Sequence, residues 1–270
     1  MKSIAKYYNV GEVFVNVRIS LYESCIVPSL LYNLEGWNKL KRSEIDSLEK
    51  IQRKTLCSLL QLPKTTPYIG LLNELGMWRV EEQIMYRKIM LYHNIQNSPT
   101  TRLIKRIVDE QKENIESDTF YADILYVTKL LNIDVEDIAN MSKSQLKTLV
   151  KKRINNRMQQ VISECKNMKK MRFVAESQEY SRKQYLIKMK GSDALKVIKT
   201  RLNMINIYGN FKGDVTLRRL CVPSQQEDDT TEHLIACKVF SNIIISTDHL
   251  FNDSNHEMWR DINELIDCNL

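Results

Sequence analysis

Chemistry in this 270-residue chain concentrates in two sets of side chains. The first is a run of cations, Lys143, Lys147, Lys151, Lys152, Arg153 and Arg157, with no Asp or Glu between Lys143 and Ser163. Helical side chains pair with neighbours three or four positions away, so a run without acids cannot neutralise itself. Unpaired Lys and Arg on one surface suit a phosphate backbone, whose counterions they displace. Such contacts set the position of a protein on a nucleic acid without reading its bases. Lys169, Lys170 and Arg172 continue the bias, and Arg218 and Arg219 recur farther on. The second set is His233 and Cys237. Four residues apart on a helical turn, they project from one face and supply two of the four ligands that tetrahedral zinc takes. His93 has no second His, Cys or carboxylate at ligand spacing and reads as a structural or surface residue.

The pattern of apolar residues indicates what holds these groups. Ser142-Lys143-Ser144-Gln145 is a capping box, and it launches a helix whose stripe is Leu146, Leu149, Val150, Ile154, Met158, Val161, Ile162 and Cys165. Upstream, the run from Leu21 to Tyr32 holds a single charge, Glu23, which predicts an element buried on more than one face. Ser43, with Asp46 three residues on, predicts a helix start, followed by Ile45, Leu48, Ile51, Thr55, Leu56 and Leu59 at helical spacing. Leu62 to Pro67 must end it, because proline disfavours the helical region for the residue before it and has no N–H to donate. A shorter helix then fits Pro67 to Glu74, stopped by Gly76.

Val80 to Gln96 reads as an amphipathic helix with Ile84, Met85, Ile89, Tyr92 and Ile95 inward and Glu81, Glu82, Arg87 and Lys88 outward. Trp78 is placed to staple it to its neighbours. Two or three helices are expected between Arg102 and Asn140: Arg102 to Glu116, Thr119 to Leu131, and a turn near Val135 to Ala139. The charged end of the first, with Glu110, Lys112, Glu113 and Glu116, reads as a solvated face, and no chemistry is assigned there. Gly191-Ser192-Asp193 predicts a stop and cap before a helix from Ala194 to Met204.

Composition bounds the rest. Seven Gly and five Pro are few for this length, and long helices need few of either, so an all-α fold is expected. A formal charge of +7 favours an anionic partner. Of the six cysteines, Cys25, Cys57 and Cys165 fall on apolar helix faces, where a free thiol behaves as a small hydrophobe. Met1 to Tyr8 lacks the apolar core of a signal peptide, and no apolar run is long enough to span a bilayer. These features predict a soluble protein in a reducing, intracellular setting, the nucleus included, with no membrane partner.

Three motifs, Leu21-Tyr22-x-Ser24-x-Ile26-x-Pro28-x-Leu30-Leu31-Tyr32 closed by Trp37, Leu60-x-Leu62-Pro63-Lys64-x-Thr66-Pro67, and Leu71-Leu72-x-Glu74-Leu75-Gly76, come in an order that resembles the segment after the palm in reverse transcriptases of non-LTR retrotransposons. Farther on, Cys221, Ser224, the acidic Glu227-Asp228-Asp229, Thr230-Thr231-Glu232-His233-Leu234 and Cys237 are similar to the C-terminal Cys-Cys-His-Cys element of the same enzymes. The resemblance implies a thumb-like helical domain over 1–100, a helical connector over 101–141, a basic helical region over 142–210 and a knuckle-like element over 211–270.

It also implies zinc on Cys221, His233 and Cys237, with one departure. Ser224 stands where the family has its second cysteine, and a hydroxyl is a poor zinc ligand. The reading therefore favours a metal-free relic of the knuckle, with Asp228, Glu232 or Cys268 as the side chains that would complete a zinc site if one is kept.

In the family the thumb grips a template–primer duplex and the C-terminal region binds element RNA and target DNA. Its palm, fingers and endonuclease have no counterpart in this sequence. The only Asp-Asp, Asp228-Asp229, sits in a polar stretch without a hairpin to hold two metal ions, so polymerase chemistry is not expected. Two readings remain. One is a non-catalytic nucleic-acid-binding module, either an expressed piece of such an element or a host protein derived from one. The other is a helical protein–protein interaction or scaffolding protein domesticated from a retroelement.

Overall fold

A computed structural model describes residues 13–38, 40–165, 168, 171, 174, 180–204 and 233. Of these, 72% are helical and none lies in a strand, so the fold is all-α. No described helix is long and apolar enough to cross a membrane. The chain sorts into two compact units, each drawn from separated stretches: Met1–Leu21, Thr55–Met77 and Ile162–Leu270 in one, Tyr22–Lys54 and Trp78–Val161 in the other.

In the first unit, α1 (Val15–Leu21) packs on α3 (Tyr185–Lys188) and α4 (Gly191–Arg201), while α2 (Tyr68–Leu75) is tied to the same set by hydrogen bonds. Pro67 in an extended conformation caps the start of α2, as its fixed φ favours. Gly76, at φ 62°, closes the helix in the left-handed region. A Cβ at Gly76 would stand 2.3 Å from the Arg182 backbone nitrogen, so glycine is required there by space as well as by conformation.

Around α2 the polar groups are internally matched. Tyr180 donates to the carbonyls of Leu72 and Met77, and Arg182 donates to the carbonyl of Leu75 at 3.4 Å and to Asn16 at 2.8 Å. Glu74, fully buried, accepts from Tyr185 at 2.7 Å and from Arg201 at 3.0 Å. Gly191 is the first residue of α4 and not the stop and cap expected of it. A Cβ there would lie 2.2 Å from the Val13 carbonyl, so the glycine lets two backbones touch.

In the second unit, α5 (Val80–Gln96) is the central helix, packed against α6 (Leu103–Glu113), α7 (Phe120–Leu131) and α8 (Val135–Asn140). Leu31, Val80 and Ile84 form a core cluster, with Val27, Leu30, Leu34, Leu40 and Leu48 against it. Thr119 caps α7 by accepting from the Ala122 N–H, and Asp134 caps α8 by accepting from the Glu136 N–H. Both sit where a short oxygen-bearing side chain satisfies an otherwise orphaned donor.

Two helices run from one unit's residues into the other's. These are α9 (Arg42–Leu59) and α10 (Lys143–Glu164). The start of α9 lies two residues before the expected one. Lys41 accepts the first helical bond, and its own N–H is held by the Glu44 carboxylate at 2.7 Å, so Glu44 rather than Ser43 does the capping.

Three further expectations are corrected. The stretch from Leu21 to Tyr32 is not buried on several faces: Tyr22 and Leu31 are fully buried, whereas Leu21 is 52% and Tyr32 81% exposed. A π-helical turn over Tyr22–Ile26 interrupts it and shifts the facing of the residues beyond Ile26. Cys25 in that turn is exposed, unlike the buried Cys57. Ile51, assigned to the inner stripe of its helix, is instead exposed.

On α5 the apolar positions face inward as expected, but Glu82 and Lys88 are buried too. Each has found a partner, the condition for burying a charge. Lys88 donates to the Trp37 carbonyl at 2.6 Å and pairs with Asp123. His93 is buried as well, and its Nε2 lies 3.0 Å from the Met141 carbonyl, which makes it a structural residue.

Candidate nucleic-acid interface

The basic helix α10 begins as its sequence prescribes. The Ser142 hydroxyl accepts from the Gln145 N–H at 3.3 Å, and the Gln145 side chain accepts from the Ser142 N–H at 3.1 Å, which is a complete capping box. Leu146, Val150, Ile154, Met158 and Ile162 are buried, so the periodic stripe does face the core, with Leu149, Val161 and Cys165 half-buried at its edge.

The opposite surface carries the cations. Lys143, Lys147, Lys151 and Lys152 are all exposed, and no ion pair among the described residues engages them. Ser144, Thr148, Asn156 and Gln160 are exposed between and beyond them. Between Lys143 and Lys152 the helix therefore offers positive charge with no carboxylate of its own to oppose an anion. At 1.5 Å per residue, Lys143 to Lys151 spans roughly 12 Å of helix.

Arg153 and Arg157 belong to a different setting. Arg157 Nε donates to Glu82 Oε1 at 3.1 Å, so this guanidinium is anchored to a buried carboxylate and only partly faces water. Arg153 is half-buried, and its Nε has no hydrogen-bond partner. The absence of acids along α10 left its arginines unpaired only within the helix, because the neutralising carboxylate comes from α5, outside the reach of any i,i+4 rule.

The anchor is part of a small charge network. Arg79 donates through Nε to Glu82 at 2.9 Å, makes a second bond to the same carboxylate, and pairs with Glu81 at 3.3 Å. Burial pulls the Arg79 pKa down, but the bonds to Glu82 and the charges of Glu82, Glu81 and Glu49 outweigh it, so its pKa is raised. Glu49 is the loose member. Burial first, and then repulsion from Glu82 and Glu81, raises its pKa against the pull of Arg79 and Arg42, and its Oε1 is buried with no hydrogen-bond partner.

Trp78 supplies the second anchor of α10. Its Nε1 donates to the Asn155 side chain at 2.8 Å, its ring leans on Tyr86 with centroids 5.5 Å apart, and its carbonyl accepts from Gln52 and Gln83. The aromatic staple expected at this position is present, with a polar contact to α10 that spacing alone did not reveal. Asn155 and Glu82 are the residues that set the helix in place, and the sequence sign of the latter is Arg79 three positions before it.

The same unit contains a cavity of about 490 Å³ lined largely by Leu40, Ile45, Ile84, Met85, Tyr126 and Val127. The charges at its wall, Lys88 with Asp123 and Glu81 with Arg42 and Arg79, are already paired, so what it offers a ligand is mainly apolar surface.

Lys169, Lys170, Arg172, Arg218, Arg219, Cys221, Ser224 and Cys237 lie outside the described residues. His233 is described, as a half-buried helical residue. Among the described residues no group of three or more His, Cys, Asp or Glu is placed to hold a metal ion. No family model, curated protein or solved structure matches this chain.

Proposed function

We propose that this protein is a non-catalytic nucleic-acid-binding module that engages the RNA or DNA backbone through α10, in a chain whose thumb-like motifs derive from a retrotransposon reverse transcriptase. The observation that carries the reading is the exposed, acid-free face bearing Lys143, Lys147, Lys151 and Lys152. A helix presenting cations and hydrogen-bond donors, fixed by buried contacts on its other side, suits phosphates and has nothing arranged to read base edges. Arg157 serves this surface by holding the helix to Glu82 more than by touching phosphate.

The test is equilibrium binding to RNA and to DNA of mixed sequence over a range of salt concentrations. Affinity is expected to fall linearly in log–log form with salt, and converting the four lysines together to Glu should remove roughly three to four units of the slope on duplex DNA. Binding that ignores those substitutions would overturn the reading. Comparing the two polymers settles which one the protein prefers.

A second reading, a protein–protein interaction module, is favoured by one observation in the same unit. Helix α6 exposes Leu103, Ile104 and Ile107 side by side, and contiguous exposed apolar surface is what interaction sites present.

A further inference from the structure

The cavity of the second unit is graded from inside to outside. Its floor is buried and apolar: Ile84 and Met85 come from α5 and Val127 from α7. Ile45 of α9 and Ala122 of α7 line it half-buried, as does Leu40 just before α9. Ser117 and Tyr126 are exposed and mark the mouth, each with a hydroxyl. Its volume of about 490 Å³ lies in the range of small-molecule sites, which are likewise mostly apolar with a few polar groups.

The charged side chains that reach the wall are matched within the protein. Lys88 pairs with Asp123 and donates to the Trp37 carbonyl at 2.6 Å, while Glu81 pairs with Arg42 at 3.2 Å and with Arg79 at 3.3 Å. A charged ligand would give up its hydration and meet no unmatched counter-charge, and an uncompensated charge is far costlier to bury than a neutral group. Water is poorly held there as well. A buried water needs about two to four polar partners, and the side chains of Ile84, Met85 and Val127 provide none. Replacing weakly ordered water by an apolar group gains affinity.

We infer that this cavity is a binding site for a small, uncharged and largely apolar molecule, whose rings or chain lie against Ile84, Met85 and Val127 and whose one neutral polar group, a hydroxyl or a carbonyl, sits at the mouth beside Ser117 and Tyr126. The occupant is a small molecule because the apolar surface is recessed, with buried residues at its floor. It is neutral because the wall has its charges paired. None of the α10 lysines lines the cavity, so the site is independent of the nucleic-acid reading.

The test is titration of the full chain with naphthol, a neutral bicyclic ring bearing one hydroxyl, followed by amide NMR. Binding is expected to saturate at a single molecule per chain, with shifts centred on Ile84, Met85, Ala122 and Val127. Naphthalenesulfonate and naphthylmethylammonium carry the same ring with a negative or a positive charge, and both should bind at least about tenfold more weakly. Ala122→Trp fills the cavity from the α7 side and Leu40→Trp from the α9 side. Each should abolish naphthol binding in a chain that circular dichroism shows to be folded. No saturable binding by the wild type, shifts centred on Leu103 to Ile107 instead, equal affinity for the charged analogues, or binding that survives both tryptophan substitutions would each overturn the assignment.

Discussion

Arg157 on α10 and Glu82 on α5 meet at 3.1 Å, 75 positions apart in sequence, and the carboxylate is wholly inaccessible to solvent. Removing the arginine leaves Glu82 with Arg79 alone. Arg157→Ala should therefore cost about 2 kcal/mol, the scale of a hydrogen bond to a charged group. Single substitutions of Lys143, Lys147, Lys151 or Lys152 to Ala should stay within about 0.5 kcal/mol of the wild type, as exposed sites do. Urea denaturation of each variant distinguishes the anchored cation from the free ones, and equal costs would count against the division.

Glu74 accepts from both Tyr185 and Arg201 in the interior of the first unit. Glu74→Ala should destabilise the protein by about 3–5 kcal/mol, because it leaves a guanidinium buried without its counter-charge. Replacing Arg201 with Met in the same chain should recover much of that loss. A double variant no more stable than Glu74→Ala would show that the contact matters by shape and not by charge.

Glu49 gives the stability a sign with pH. Its pKa is raised in the folded protein by burial and by Glu82 and Glu81, so the folded state holds this proton more tightly than the unfolded chain. Its contribution is favourable below its unfolded pKa and is lost as pH rises through the folded value. Glu49→Gln should thus raise Tm near pH 7, and the gain should vanish as the pH is lowered towards 4. A Tm difference that is constant across pH 4–8 would exclude this source.

The resemblance implies Cys221, His233 and Cys237 as zinc ligands, with Ser224 in the place of a fourth. Purified protein is expected to hold well under one zinc per chain, with a Tm that a chelator does not move. Ser224→Cys should raise zinc content and Tm together, since metal binding to such an element is folding free energy. One zinc per wild-type chain by elemental analysis would contradict the expectation.

The helices were legible where local signals agreed. Ser142 and Gln145 announce α10, Pro67 and Gly76 bracket α2, and Val80–Gln96 matches its element end to end. The basic face was legible for the same reason, as a helix without acids shows its charge in one dimension. Glu82 and Lys88 were not, because a charge is placed outward by pattern and drawn inward by partners that include residues far off in the chain, here Arg157 and Asp123. The exposed strip of α6 was hidden by its own composition. Glu110 and Glu113 are exposed, as a solvated face requires, and the uncovered Leu103 and Ile107 beside them belong to a helix that buries only Val108.

The π-helical turn at Tyr22–Ile26 carries one residue more than an α-helical turn would hold. The wider turn takes up that residue, so removing one there, Ser24 for instance, lets it close as ordinary α-helix with Leu31 still turned to the core. The same deletion in an α-helical turn, which has no residue to spare, would rotate everything after it by about 100° and carry Leu31 aside. The turn is thus a place where the chain tolerates a change of length as well as of residue, the exposed Cys25 included.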